Sequence, residues 1–141
     1  MAAVPINYAA LLVAAVISVA LGFLWYGPLF GKKWMTLTGI PMPAEKPPFS
    51  VMVRPMVMSV VGSLFMAFAL IHNITFGASY LNMSGACVGL FAAFWNWLGF
   101  VVPPALNHVG WEGKPWTLFW INTGYFLVYM AIIGAMLAVW Q

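Results

Sequence analysis

Reactive side chains are scarce in this chain: two histidines (His72 and His108), one cysteine (Cys87) and two acids (Glu45 and Glu112). A zinc-type site needs three or four such donors at ligand spacing. His108 has Glu112 four residues on and Asn107 beside it, and His72 has only Asn73, so neither group completes a shell and no metal site is expected. A single histidine can still hold a haem or pigment axially. His72, at membrane depth among aromatic residues, is the candidate for that role; the plainer reading is an interfacial histidine bonded to water or backbone. Catalysis requires a nucleophile beside a base. Cys87 sits in Gly85-Ala86-Cys87-Val88 with neither and reads as a small buried packing residue. Glu45 and Glu112 lie close to Lys46 and Lys114, as solvated ion pairs do. Only Asn107, His108 and Glu112 together could make a catalytic group. The expectation is no enzyme and no cofactor.

The elements that would position these residues follow from composition. Of 141 residues, 65% are hydrophobic, 17% aromatic and only 5% charged, against about 25% charged in soluble domains. The surface of a soluble domain cannot be made from this chain. A net charge of +3 from five Lys and Arg gives no phosphate-reading stripe, which excludes nucleic acid as a partner. One cysteine excludes an internal disulfide framework. Crossing the hydrocarbon layer takes about 20 apolar residues. Four stretches qualify, at about 6–26, 55–76, 85–102 and 116–140. Gly27-Pro28 ends the first, Pro55 opens the second in its first turn, and Pro103-Pro104 breaks the third. Barrel alternation is absent. The first stretch has no basic n-region and no small-residue cleavage site, so it reads as a retained helix rather than a signal peptide. The expectation is one all-α domain over residues 1–141, an integral membrane four-helix bundle.

Charge orients the bundle. Lys32, Lys33, Lys46 and Arg54 fall in the loop 27–54, and Lys114 falls in the loop between the third and fourth helices. With four crossings both loops share one side. The positive-inside rule then puts them in the cytoplasm and both termini on the periplasmic or extracellular side of a cell inner membrane. Trp25, Tyr26, Trp34, Trp111 and Trp116 sit at the basic end, and Tyr8, Tyr80 and Trp140 at the other, as interfacial aromatics do. Phe30, Trp34 and Leu37 recur at i, i+4 and i+7 beside Lys32 and Lys33. That pattern predicts a short helix over 29–38 in the headgroup plane, ended by Gly39 and followed by a proline-rich connector from Pro41 to Pro48.

Helices in lipid associate through small residues. Ala10, Ala14, Ser18 and Gly22 make a strict four-residue stripe on the first helix. Gly85, Gly89 and Ala93 do so on the third, with shorter sets at Ser59, Ser63 and Ala67, at Ala131 and Ala135, and at Gly134 and Ala138. Asn7, Ser18, Asn96 and Asn122 are polar within the spans. Amides facing lipid are costly, so Asn96 and Asn122 should point at other helices. They act either as interhelical glue or as the lining of a solute path.

Three blocks carry a resemblance: Trp25-Tyr26-Gly27-Pro28-Leu29-Phe30-Gly31-Lys32-Lys33-Trp34; Trp97-Leu98-Gly99-Phe100 with Pro103; and Trp111-Glu112-Gly113-Lys114-Pro115-Trp116 followed by Leu118-Phe119 and Ile121-Asn122-Thr123-Gly124-Tyr125. Together they resemble the domain-of-unknown-function family 1761 over nearly the whole chain. The resemblance implies a small bacterial four-helix membrane protein and brings no activity or catalytic residue with it. Small-residue faces with few reactive groups suggest a protein that works through helix contacts in the lipid bilayer. It would be a homo-oligomer or an accessory subunit of a larger respiratory or photosynthetic complex. The alternative is an oligomeric carrier or channel for a small neutral or hydrophobic solute, with Asn96 in its path.

Overall fold

The computed structural model describes residues 4–41 and 48–140. The expected Glu45–Lys46 pair and most of the proline-rich connector lie outside the described residues. The described chain is α-helical with no strand: α1 (Tyr8–Leu24), a π-helical turn (Trp25–Leu29), α2 (Gly31–Thr38), α3 (Phe49–Leu81), α4 (Ala86–Asn96), a second π-helical turn (Trp97–Val101), α5 (Val102–Gly110) and α6 (Trp116–Val139). Among the described residues, four spans are long and apolar enough to cross a membrane: Tyr8–Leu29, Phe49–Leu81, Ala86–Gly110 and Trp116–Val139.

Asn7 starts α1 as its N-cap, its Oδ1 accepting from the Ala10 amide at 3.2 Å. Its amide therefore serves the helix end rather than an intramembrane contact. Pro28 does not stop this helix as expected. Its missing N–H is absorbed by a wider turn, in which the Phe30 amide reaches back to the Trp25 carbonyl at 2.9 Å. α2 follows within the segment anticipated at 29–38 and ends at Gly39, whose φ of 74° is left-handed.

The second span departs most from expectation. α3 is 33 residues long and begins six residues before Pro55, after an extended Pro48. Pro55 thus sits inside the helix at the cost of one backbone bond, and Arg54 is helical rather than in a loop. The helix also runs five residues past Phe76, to Leu81, and closes at Asn82 in the left-handed region. Gly85 then has φ 65° and ψ −158°, a conformation for glycine alone. A Cβ there would touch nothing within 4 Å, so Gly85 turns the chain instead of packing helices.

The third span does not end at Pro103-Pro104. A π-helical turn precedes them, with the Val102 amide bonding the Trp97 carbonyl. The prolines then occupy the first turn of α5, where a missing N–H costs little. The helix continues to Gly110.

The helices run antiparallel in sequence. α4 and α6 approach closest, at two bare glycines. A Cβ on Gly134 would lie 2.6 Å from the Gly89 carbonyl oxygen and 3.2 Å from the Ala93 Cβ, and a Cβ on Gly89 would overlap the Gly134 backbone. The α1 stripe works differently. Ala10 and Ala14 are fully buried and Ser18 nearly so; α1 packs mainly against α3, and side chains of α6 cross to the carbonyls of Ala14 and Ser18. Tyr125 donates its hydroxyl to the Ser18 carbonyl at 2.9 Å, and Tyr129 donates to the Ala14 carbonyl at 3.3 Å. The two tyrosine rings stack with centroids 6.2 Å apart. Ile71, Ile74, Ile133 and Leu137 fill the centre with no exposure, while Leu12, Val16 and Phe65 face outward, as residues in contact with acyl chains do.

Candidate binding cleft

One turn of α6 organises the basic end of the bundle. Asn122 Oδ1 accepts the indole N–H of Trp34 at 3.1 Å and the hydroxyl of Tyr26 at 3.3 Å. Trp25 donates its indole N–H to the Ile121 carbonyl at 2.9 Å, and Trp97 donates to the Thr123 carbonyl at 2.8 Å. Thr123 turns its own hydroxyl back to the Phe119 carbonyl at 2.7 Å. A helical carbonyl has a second lone pair, so these indoles add bonds without breaking the helix. Gly124 leaves room for the Trp25 ring, which lies 3.4 Å from where a Cβ would be. Gly31 is as constrained: a Cβ would sit 2.5 Å from the Tyr26 carbonyl oxygen. The first two sequence blocks thus close onto the third.

Beside this turn lies a cleft of about 780 Å³ between α3, the α4–α5 span and α6. Its walls are mostly apolar, including Met66, Phe100, Phe126 and Met130. Polar groups stand at three depths. At the inner end Asn73 Nδ2 donates to Asn96 Oδ1 at 3.3 Å and to the Ala69 carbonyl at 3.0 Å, while Asn96 Nδ2 donates to the Ala92 carbonyl at 2.8 Å. Asn122 and Thr123 stand at the middle. At the mouth are Lys114, His108 and Glu112, with His108 Nδ1 and Glu112 Oε1 2.6 Å apart in an exposed pair.

Of the four polar residues anticipated within the spans, the fold brings Asn96 and Asn122 to the cleft. Asn7 caps α1, and Ser18 bonds within its own helix, to the Ala15 carbonyl at 2.8 Å. Asn73 was not anticipated as a lining residue. With α3 ending at Leu81, Asn73 is eight residues inside the helix, about 12 Å from its end, and level with Asn96. His72 precedes it in the same helix. Its Nδ1 meets the Phe68 carbonyl at 2.7 Å between the rings of Phe68 and Phe76. It does not line the cleft. His108 lies twelve residues along the helix from Asn96, about 18 Å, so the two histidines are far beyond shared coordination. Among the described residues no three His, Cys, Asp or Glu side chains gather. Cys87 is exposed rather than buried in packing.

Residues 9–138 match the family described as protein of unknown function (DUF1761). The chain belongs to the DUF1761 family. No curated protein and no solved structure matches it. For this DUF1761 chain the matched region takes in all four spans apart from the first residue of α1 and the last of α6, and every residue of the cleft.

Proposed function

We propose that this DUF1761 protein is a non-enzymatic, multi-pass membrane protein that binds a small neutral or hydrophobic solute in the cleft between α3, α4–α5 and α6. The observation that carries the reading is the cleft itself. Its volume of about 780 Å³ lies within the roughly 300–1,000 Å³ of small-molecule sites, and apolar walls with a few convergent polar groups are their usual lining. A transmembrane helix of a partner would need far more room. By the positive-inside rule the mouth, beside Lys114, faces the cytoplasm and the termini face the other side of a cell inner membrane. Whether binding serves transport or storage, the solute reaches Asn96 from the mouth.

The helix-contact reading, a homo-oligomer or an accessory subunit of a respiratory or photosynthetic complex, ranks second. It drew on small-residue faces, and Ala10, Ala14, Ser18, Gly89 and Ala93 are covered within this chain. A partner would have to use the outward apolar surface.

Saturable binding of a fluorescent hydrophobic probe to the protein in lipid nanodiscs tests the first reading. Ala69 and Ala105 line the cleft, and Ala69→Phe with Ala105→Phe should fill it. Binding should fall at least ten-fold while helicity is kept. Unchanged binding in the filled variant would defeat the reading.

A further inference from the structure

We infer that the cleft selects an uncharged amphipath by a carbonyl-type oxygen, received by the amide N–H groups of Asn122; the inference rests on the binding reading above. The orientation of Asn122 is fixed by its neighbours. An indole N–H only donates, so the atom of Asn122 that meets Trp34 Nε1 is Oδ1, which also takes the Tyr26 hydroxyl. Both acceptor positions of Oδ1 are then filled. Nδ2 keeps two protons, and no acceptor among the described residues takes either of them, although Asn122 lines the cleft.

The inner pair does not share this excess of donors. Asn73 spends both amide protons, on the Ala69 carbonyl and Asn96 Oδ1. Asn96 spends one, on the Ala92 carbonyl. One N–H of Asn96 remains there, with Asn73 Oδ1 and the second lone pair of Asn96 Oδ1 free to accept, so the excess of donors toward the cleft is the two N–H groups of Asn122. The N–H groups of Asn122 are not sealed within the protein; they are open to an acceptor in the cleft, which would gain their bonds. A carbonyl oxygen, with two lone pairs and no proton, fits the two N–H groups of Asn122.

Charge narrows the class further. Of the described cations, Lys32, Lys33, Arg54 and Lys114, only Lys114 lines the cleft; Lys33 stands with Ile121 and Gly124 in a separate hollow. Lys114, the one cation on the cleft, shares the mouth with the carboxylate of Glu112. An anion drawn to Lys114 would meet that carboxylate and leave the Asn122 donors unmet. The fitting ligand is therefore a neutral ketone, quinone, ester or amide with an apolar body.

The test uses ligands that differ in one group. Undecane, 2-undecanone carrying a ¹³C carbonyl, and decanoate are titrated onto the intact protein in nanodiscs, with tryptophan fluorescence reporting occupancy. The ketone should bind about ten-fold more tightly than the alkane, and its carbonyl stretch should move to lower frequency on binding. Asn122→Leu should remove both the preference and the frequency shift. Because that substitution also strips Trp34 and Tyr26 of their acceptor, the ketone-to-alkane ratio in the unaltered protein decides the matter if the variant does not fold. Equal affinity for ketone and alkane would overturn the carbonyl inference and leave the binding reading standing. Tighter binding of decanoate would overturn it in favour of an anion held at Lys114. No saturable binding by any of the three would overturn the binding reading itself.

Discussion

The half of the α4–α6 pair around Gly89 and Gly134 and its basic half are built from the same two helices to opposite ends. Near Gly89 and Gly134 the backbones touch, with no room for a methyl group. Past Asn96 the third span widens into a π turn, passes two prolines and leans on α6 through one indole bond, from Trp97 to Thr123. The cleft opens there. Rigid close packing at one end and a reoriented helix at the other leave a bundle that is fixed in register and yet hollow. Without an aqueous core to drive association, contact distance between small residues sets where helices meet, and the loss of those residues sets where they part.

The largest expected effect breaks the closed half. Gly89→Ala places a methyl group on the Gly134 backbone and should cost about 2–3 kcal/mol, measured by reversible unfolding in mixed micelles. Gly99→Ala, in the π turn with nothing within 4 Å of its Cβ, should be neutral or stabilising by up to about 0.5 kcal/mol. Equal costs at the two glycines would mean that the halves are not packed differently after all.

How much of this was legible beforehand depends on whether the cause is local. The α1 stripe could be read because small residues four apart face one way in any helix, and Asn96 and Asn122 because an amide has few places to go in lipid. The ends of the second and third spans could not. Proline reads as a helix boundary at Pro28, Pro55 and Pro103, yet two π turns absorb the missing donors around Pro28 and before Pro103, and α3 simply carries Pro55. Hydropathy does not register a shift from i−4 to i−5 bonding. The expected end at Phe76, where no proline stands, hid Asn73 as a lining residue, because a helix stopped there puts it near the interface. The convergence of Trp25, Tyr26 and Trp34 on Ile121 and Asn122 joins residues some ninety positions apart, which no local pattern announces.

The second prediction concerns the one bond that steadies the open half. Trp97→Phe keeps a ring against α6 but removes the buried N–H to the Thr123 carbonyl. It should cost about 1–1.5 kcal/mol and, by freeing the third span, weaken probe binding several-fold. Trp25→Phe removes the corresponding bond to Ile121 on the other side of α6. It should cost a similar amount and leave the cleft unchanged. If both variants bind probe alike, Trp97 does not shape the cleft.

Asn96→Leu separates a bond from a lining. Its partner Asn73 keeps the Ala69 carbonyl, so stability should fall by only about 0.6 kcal/mol, the average for interhelical polar contacts in membranes. If the solute moves through the protein, flux in reconstituted vesicles should fall far more than that energy implies, since leucine removes the inner polar group and narrows the cleft. Unchanged flux would make Asn96 glue alone.

The smallest effect belongs to the mouth, where the contrast between the halves becomes a contrast between membrane and water. The His108–Glu112 pair is short, but both side chains are more than half exposed. Solvent screens such pairs, and most of their attraction is spent in ordering the side chains. Glu112→Gln should therefore change stability by about 0.3 kcal/mol or less. It nevertheless removes the one described carboxylate on the cleft wall and leaves Lys114 as the only formal charge there. Binding of an anionic probe such as decanoate should rise, and binding of the ketone should not. A substitution that is silent in unfolding but shifts anion affinity would show that the mouth is tuned for discrimination. Silence in both measurements would confine selection to the amides deeper in the cleft.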